Sequence, residues 1–189
     1  MKKTGIILLA AGAGKRFEGN KLEAVVDGKP MYRHALDVIG CQKKAEHVIV
    51  VTSNKTIASE AVRAHMEVVD NPFPELGISR SIGMGMHRML ESLPEIEAVM
   101  FMVCDQPWLR GETLNQMITH FEHGIMALDC HGRHGNPVLF SSEYFQELME
   151  LTGDIGGRQV MERHKEAVYY FELFDEKELR DVDRRVDLE

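Results

Sequence analysis

The run Ala98-Val99-Met100-Phe101-Met102-Val103 has no polar residue at any position, and it constrains the fold more than any other feature of the chain. A strand sends alternate side chains to opposite faces, so this one is apolar on both and must be covered on both. Such a strand belongs inside a sheet flanked by helices. His47-Val48-Ile49-Val50-Val51-Thr52 and Gly5-Ile6-Ile7-Leu8-Leu9-Ala10 read in the same way. Amphipathic stretches separate these runs. Between Pro30 and Ile39, the residues Met31, Ala35, Leu36 and Ile39 fall near helical spacing, with Pro30 at a first helical position and Gly40 closing the segment. The alternation predicts an α/β protein with a doubly wound, mostly parallel sheet and helices on both faces.

The remaining segments fit that class. A helix is expected over 54–65, capped by Ser53 or Asn54, and a short strand over 67–69. A helix from Ser79 or Ser81 to Leu93 follows, despite Gly83 and Gly85. Further on come a helix over 111–123, strands over 124–128 and 137–140, helices over 142–151 and 156–164, and a strand over 168–173. The tail from Asp175 is strongly charged and is expected to fray. With 189 residues and neither a repeat nor a linker, the chain reads as one domain over 1–189.

Composition removes several functions. No stretch approaches the roughly 20 apolar residues of a membrane span. The start, Met1-Lys2-Lys3-Thr4 and then Gly5 to Ala11, has a superficial likeness to a signal peptide, but a Gly-rich basic turn follows where a cleavage site belongs. A cytoplasmic location is therefore expected. Cys41, Cys104 and Cys130 form no Cys-x-x-Cys pair, so neither a disulfide framework nor a zinc site is implied, and Cys104 reads as a small buried hydrophobe rather than a nucleophile. A net charge of −8 without any basic run disfavours nucleic acid and anionic membranes as partners. A phosphate-bearing small molecule remains open, given local cations or a divalent metal.

Four features carry chemistry. The first strand enters Leu9-Ala10-Ala11-Gly12-Ala13-Gly14-Lys15-Arg16, with Lys21 beyond it. Small residues let backbone amides approach a phosphate chain, and Lys15, Arg16 and Lys21 neutralise its charge. The spacing matches neither the dinucleotide fingerprint nor the P-loop, and a tight strand-to-helix turn with solvated lysines is the plain alternative. Second, Asp105 follows the most apolar strand, where the carboxyl ends of an open α/β sheet form a binding crevice, so it is a candidate Mg²⁺ ligand or a cap for the turn before Pro107. Third, Asp154 precedes a helix carrying Arg158 and is either a second metal ligand or that helix's cap, while His131 and His134 read as solvated loop residues. Fourth, Asn71-Pro72 and Gly77-Ile78-Ser79-Arg80-Ser81 open a helix, where the serines suit sugar or phosphate contacts and ordinary capping equally.

Taken in order, Leu9-Ala10-Ala11-Gly12-x-Gly14-x-Arg16 with Lys21, Gly28-Lys29-Pro30, Asn71-Pro72, Gly77-x-Ser79-x-Ser81, Asp105-Gln106-Pro107, Gly135-Asn136-Pro137 and Gly153-Asp154-x-Gly156-x-Arg158 resemble the MobA-like nucleotidyltransferases. The set covers residues 5 to about 160. Within the group it is similar to the molybdenum cofactor cytidylyltransferase branch. The resemblance implies a nucleotide-diphospho-sugar transferase-like fold. Its nucleotide site would include Leu9, Ala10, Ala11, Gly12, Gly14 and Lys15, joined by Arg16, Lys21, Asn71, Ser79, Ser81 and Asp105. Of these, Arg16, Lys21 and Asp105 would be catalytic, with Mg²⁺ as cofactor on Asp105 and Asp154. Gln106, Asn136 and Arg158 would face the acceptor. Ala10-Ala11 stands where guanylyl-transferring relatives carry a glycine pair, which implies CTP as donor and a molybdopterin phosphate as acceptor, with a molybdenum hydroxylase apoenzyme as a further partner. The chain departs from the family pattern in placing Gly19 three residues after Arg16 rather than two.

Competing readings are transfer to a sugar or alditol phosphate and a non-catalytic factor that carries the cofactor to a hydroxylase. An NAD(P) oxidoreductase lacks its fingerprint.

Overall fold

A computed structural model describes residues 1–12, 20–184 and 187. Its strands are β1 (Thr4–Leu9), β2 (Val25–Val26), β3 (Lys29–Pro30), β4 (His47–Thr52), β5 (Glu67–Asp70), β6 (Ala98–Val103), β7 (Ile125–Cys130), β8 (Arg133–Ser141) and β9 (Val168–Glu172). Its helices are α1 (Met31–Cys41), α2 (Lys55–Arg63), α3 (Ile78–Ser92), α4 (Gly111–His120), α5 (Phe145–Met149) and α6 (Arg158–Arg163). Seven strands form one sheet in the order β5-β4-β1-β6-β8-β7-β9. Only β8 among them runs antiparallel to its neighbours.

The continuous apolar runs occupy the middle of this sheet, as burial on both faces requires. Ile6, Leu8, Val50, Met100 and Met102 pack against α1, α2 and α4, whereas Ile7, Ile49, Val51, Val99 and Phe101 pack against α3, α5 and α6. Helices therefore cover both faces, as the alternation predicts. Gly85 does not break α3 but lets it approach β1, because a Cβ there would lie 2.7 Å from Ile7 Cγ2. Asn54 caps α2, its Oδ1 accepting from the amides of Thr56 and Ile57.

Strand order fixes where a ligand can sit. From β1 the chain moves outward through β4 to β5, then returns to the other side of β1 as β6. The crevice of an open α/β sheet opens at such a reversal, beyond the carboxyl ends of the two diverging strands. Leu9 and Val103, the last residues of β1 and β6, are partners there.

Several boundaries differ from expectation. The strand expected over 137–140 is the longer β8, because hairpin pairing with β7 carries it back past Asn136. The helix expected over 142–151 is a 3-10 turn, Ser142–Tyr144, followed by the short α5. The hairpin of β2 and β3 was not anticipated. The tail does not fray through residue 184, because Leu179 and Val182 are 1% and 0% exposed. Buried Glu178 ties it down further, accepting from Thr113 Oγ1 and from the Arg110 amide. Among the described residues, no helix is long and apolar enough to cross a membrane.

Candidate active site

The chain leaving β1 is fastened before it reaches the crevice. The Ala10 amide donates to Val51 O at 2.8 Å and its carbonyl accepts from Thr52 Oγ1 at 2.9 Å, so Ala10 holds β1 to β4. Leu9, Ala11 and Gly12 line a cleft of about 680 Å³. Gly14, Lys15 and Arg16 lie outside the described residues.

Lys21 opens the 3-10 turn Lys21–Glu23 and reaches into this cleft. Its Nζ donates to Asp105 Oδ2 at 2.9 Å and to Asp183 Oδ1 at 2.7 Å. Burial opposes its charge, but the Asp105 and Asp183 carboxylates outweigh that opposition and hold its pKa above the ordinary lysine value. Lys21 is a fixed ammonium.

Asp105 stands just past the tip of β6, across from the β1 tip. Its second oxygen, Oδ1, is buried with no hydrogen-bond partner among the described residues. A turn-capping aspartate would spend that oxygen on a backbone amide, so Asp105 is not the cap for the turn at Pro107. An orphaned carboxylate oxygen in a cleft is a vacant acceptor for a cation or a proton donor. Neighbouring Cys104 is buried, and desolvation with the Asp105 charge pushes its thiol far above the ordinary range, so it is no nucleophile.

The opposite wall is two loops bound together. Gly77, not a serine, is the N-cap of α3, and among the described residues no side chain caps the helix. Ser79 instead donates from Oγ to Gly153 O at 2.7 Å, and its amide donates to the same carbonyl at 3.3 Å. This pins the 151–157 loop and brings Asp154 to the first cleft. Gly157 is the N-cap of α6, again without a side-chain cap among the described residues, so Asp154 is not that helix's cap. Asn71 has no exposed surface and donates to Ser81 Oγ at 2.9 Å while accepting from Arg80 Nε and the Phe73 amide. Asn71 and Ser79 are thus engaged in holding the wall, whereas Ser81 lines the cleft.

A second cleft of about 830 Å³ adjoins the first and shares Leu9, Ile78 and Val103 with it. The three residues expected at the acceptor, Gln106, Asn136 and Arg158, all line it. Its floor is apolar, built from Phe101, Val138 and Phe140 on the sheet face, with Arg158, Lys165 and Asp181 on its rim. His134 is exposed, as expected, but sits on a strand rather than in a loop. It lies on β8 and stacks on Tyr170, ring centroids 3.9 Å apart, at the cleft's edge. Tyr170, Asp181 and Asp183 were missed because their partners are distant in sequence. The only signal was Leu179 and Val182, two apolar residues in an acidic tail.

Among the described residues, no three His, Cys, Asp or Glu side chains converge as a metal site by themselves. That does not argue against Mg²⁺, which is held by one or two carboxylates together with substrate phosphates and water.

The bifunctional protein GlmU of Desulfitobacterium hafniense (strain Y51) is 27% identical over 127 residues, which is 64% of this chain and 26% of that protein. A probable molybdenum cofactor guanylyltransferase of Thermococcus sibiricus (strain DSM 12597 / MM 739) is 34% identical over 64 residues, 34% of this chain and 33% of that protein. The matched stretches thus span about a quarter to a third of these curated relatives. The crystal structure of Rv0371c from Mycobacterium tuberculosis H37Rv superposes with a TM-score of 0.78 at 25% identity, covering 98% of this chain and 95% of that one. The family model of the MobA-like NTP transferase domain matches residues 6–168, and the chain belongs to that family.

Proposed function

We propose that this protein transfers a cytidylyl group from CTP to the terminal phosphate of a molybdopterin-type acceptor, releasing pyrophosphate. The observation that carries the reading is the Lys21 and Asp105 pair at the strand-order reversal, opening directly into a second, apolar-floored cleft. Lys21 neutralises the donor's polyphosphate, and the Gly12 end of the first loop brings backbone close to it. The acceptor phosphate attacks the α-phosphorus in line, and the α–β bridge bond breaks. A phosphate nucleophile is already ionised at neutral pH, so no residue is needed as general base, and positioning with charge stabilisation supplies the rate.

The Oδ1 of Asp105, without a partner among the described residues, fits a hard cation, and Asp154 on the facing wall is a second carboxylate available to it. Mg²⁺ held there would supply neutralisation of the developing phosphate charge. Membership of the family supports the nucleoside triphosphate donor. The Ala10-Ala11 pair supports CTP. The acceptor assignment draws on the Thermococcus relative's description and on the cleft, where the Tyr170–His134 stack offers a flat aromatic surface to a planar ring system.

Pyrophosphate release from a panel of nucleoside triphosphates with Mg²⁺ tests this directly. Turnover is expected with CTP and molybdopterin-type acceptor, and turnover confined to a sugar phosphate acceptor would replace the reading with the alternative. Tyr170→Ala is expected to raise the acceptor KM by about tenfold, as loss of one stacking platform does, with the CTP KM unchanged. Steady-state kinetics in both substrates separates the two effects.

A further inference from the structure

A helix N-cap needs only an acceptor oxygen, and serine or aspartate supplies one as well as asparagine does. Asn54 uses both ends of its side-chain amide. Its Oδ1 accepts from the Thr56 and Ile57 amides of α2, while its Nδ2 donates to Glu23 Oε1 at 2.9 Å, 31 positions earlier in the chain. Glu23 closes the 3-10 turn that Lys21 opens. That turn is lightly held. None of its three residues is buried, and no side chain caps it among the described residues. Leu22 packs, partly buried, against the core, and the Ala24 carbonyl just beyond accepts from the Met31 amide at 2.8 Å.

Asn54 is itself placed by the end of β4. Its amide donates to Thr52 Oγ1 at 3.1 Å, and the same buried hydroxyl donates to Ala10 O at 2.9 Å. Residues 52–54 therefore grip the chain twice, at Ala10 where it leaves β1 and at Glu23 where it has passed Lys21. We infer that Asn54 is a positioning residue for the polyphosphate-binding lysine, its side-chain amide coupling the start of α2 to the turn that carries Lys21. It acts through Glu23. An anion binds Lys21 more tightly when the backbone behind the ammonium is already ordered, because that ordering is then not subtracted from the binding free energy. The inference rests on the nucleotidyl-transfer reading for the identity of the anion.

Charge and anchorage predict opposite results at Glu23. Removing a negative charge near a phosphate-binding lysine should tighten anion binding, whereas removing an anchor should weaken it. Calorimetric titration of the full chain with CTP, and separately with inorganic tripolyphosphate, both with Mg²⁺, reads the difference. Glu23→Met is expected to bind about fivefold more weakly than wild type, the scale of one hydrogen bond. Glu23→Gln is as uncharged as the methionine variant but keeps an acceptor for Asn54, and should bind within about twofold of wild type. Asn54→Ser retains a capping oxygen and is too short to span to Glu23, so it should lose the same fivefold while its melting temperature holds. The double variant Asn54→Ser/Glu23→Met should lose no more than either alone. Equal affinity of the Met and Gln variants, or wild-type affinity in Asn54→Ser, overturns the inference and leaves the transfer reading standing. Absence of binding by wild type and variants alike overturns both.

Discussion

Asp105→Asn is expected to reduce pyrophosphate release by about a thousandfold or more, the scale seen when a preorganised charge or metal ligand is removed from a phosphoryl site. The substitution keeps the shape of the side chain and removes its charge. Lys21 retains Asp183 as a partner, so no buried cation is stranded, and the melting temperature should move by only about 2–4 °C. Turnover and a thermal melt on the same preparation distinguish a lost role from a lost fold. Near-normal turnover would remove Asp105 from the chemistry.

Gly77→Ala should damage both stability and activity through one contact. Gly77 has φ 104° and ψ 166°, a conformation open essentially to glycine alone. A Cβ there would lie 2.2 Å from Gly153 O, the same carbonyl that receives both hydrogen bonds from Ser79. The two loops of the cleft wall must part. The expected cost is about 2–4 kcal/mol, a drop of roughly 5–15 °C in melting temperature. Turnover should fall by about tenfold or more because the loop that moves carries Asp154, and misplacement of a positioned group is costly. Gly83→Ala is the control: a Cβ there meets nothing within 4 Å inside α3, so stability should hold or rise slightly. Melting curves of the two variants side by side check the contrast.

The residues of the crevice were legible in the sequence to unequal degrees, for physical reasons. Uninterrupted apolar runs demand cover on both faces, so β1, β4 and β6 announce themselves, and the strand order then places Lys21 and Asp105 together. Ser79 was legible only as a polar residue near a helix start. Whether it caps its own helix or reaches Gly153 depends on a loop 74 positions away, and nothing local encodes that choice. The same holds for Asp154, whose helix begins at Arg158, later than its periodicity suggests. The tail misled because charge dominates its composition. Two apolar side chains, Leu179 and Val182, were enough to anchor it once the surface they pack on existed. His134 and Tyr170 meet only because β8 and β9 both flank β7, a pairing that no short-range pattern reveals.

The central claim is that the lysine following the first loop and the aspartate past the central strand serve a single polyphosphate. A crystal structure of the protein with Mg²⁺ and a non-hydrolysable CTP analogue tests it most directly. The account predicts a polyphosphate oxygen on Lys21 Nζ, Mg²⁺ on Asp105, and the acceptor cleft open beside the α-phosphorus. A nucleotide bound with its phosphates out of reach of Lys21, and with Asp105 touching neither metal nor ligand, would contradict it.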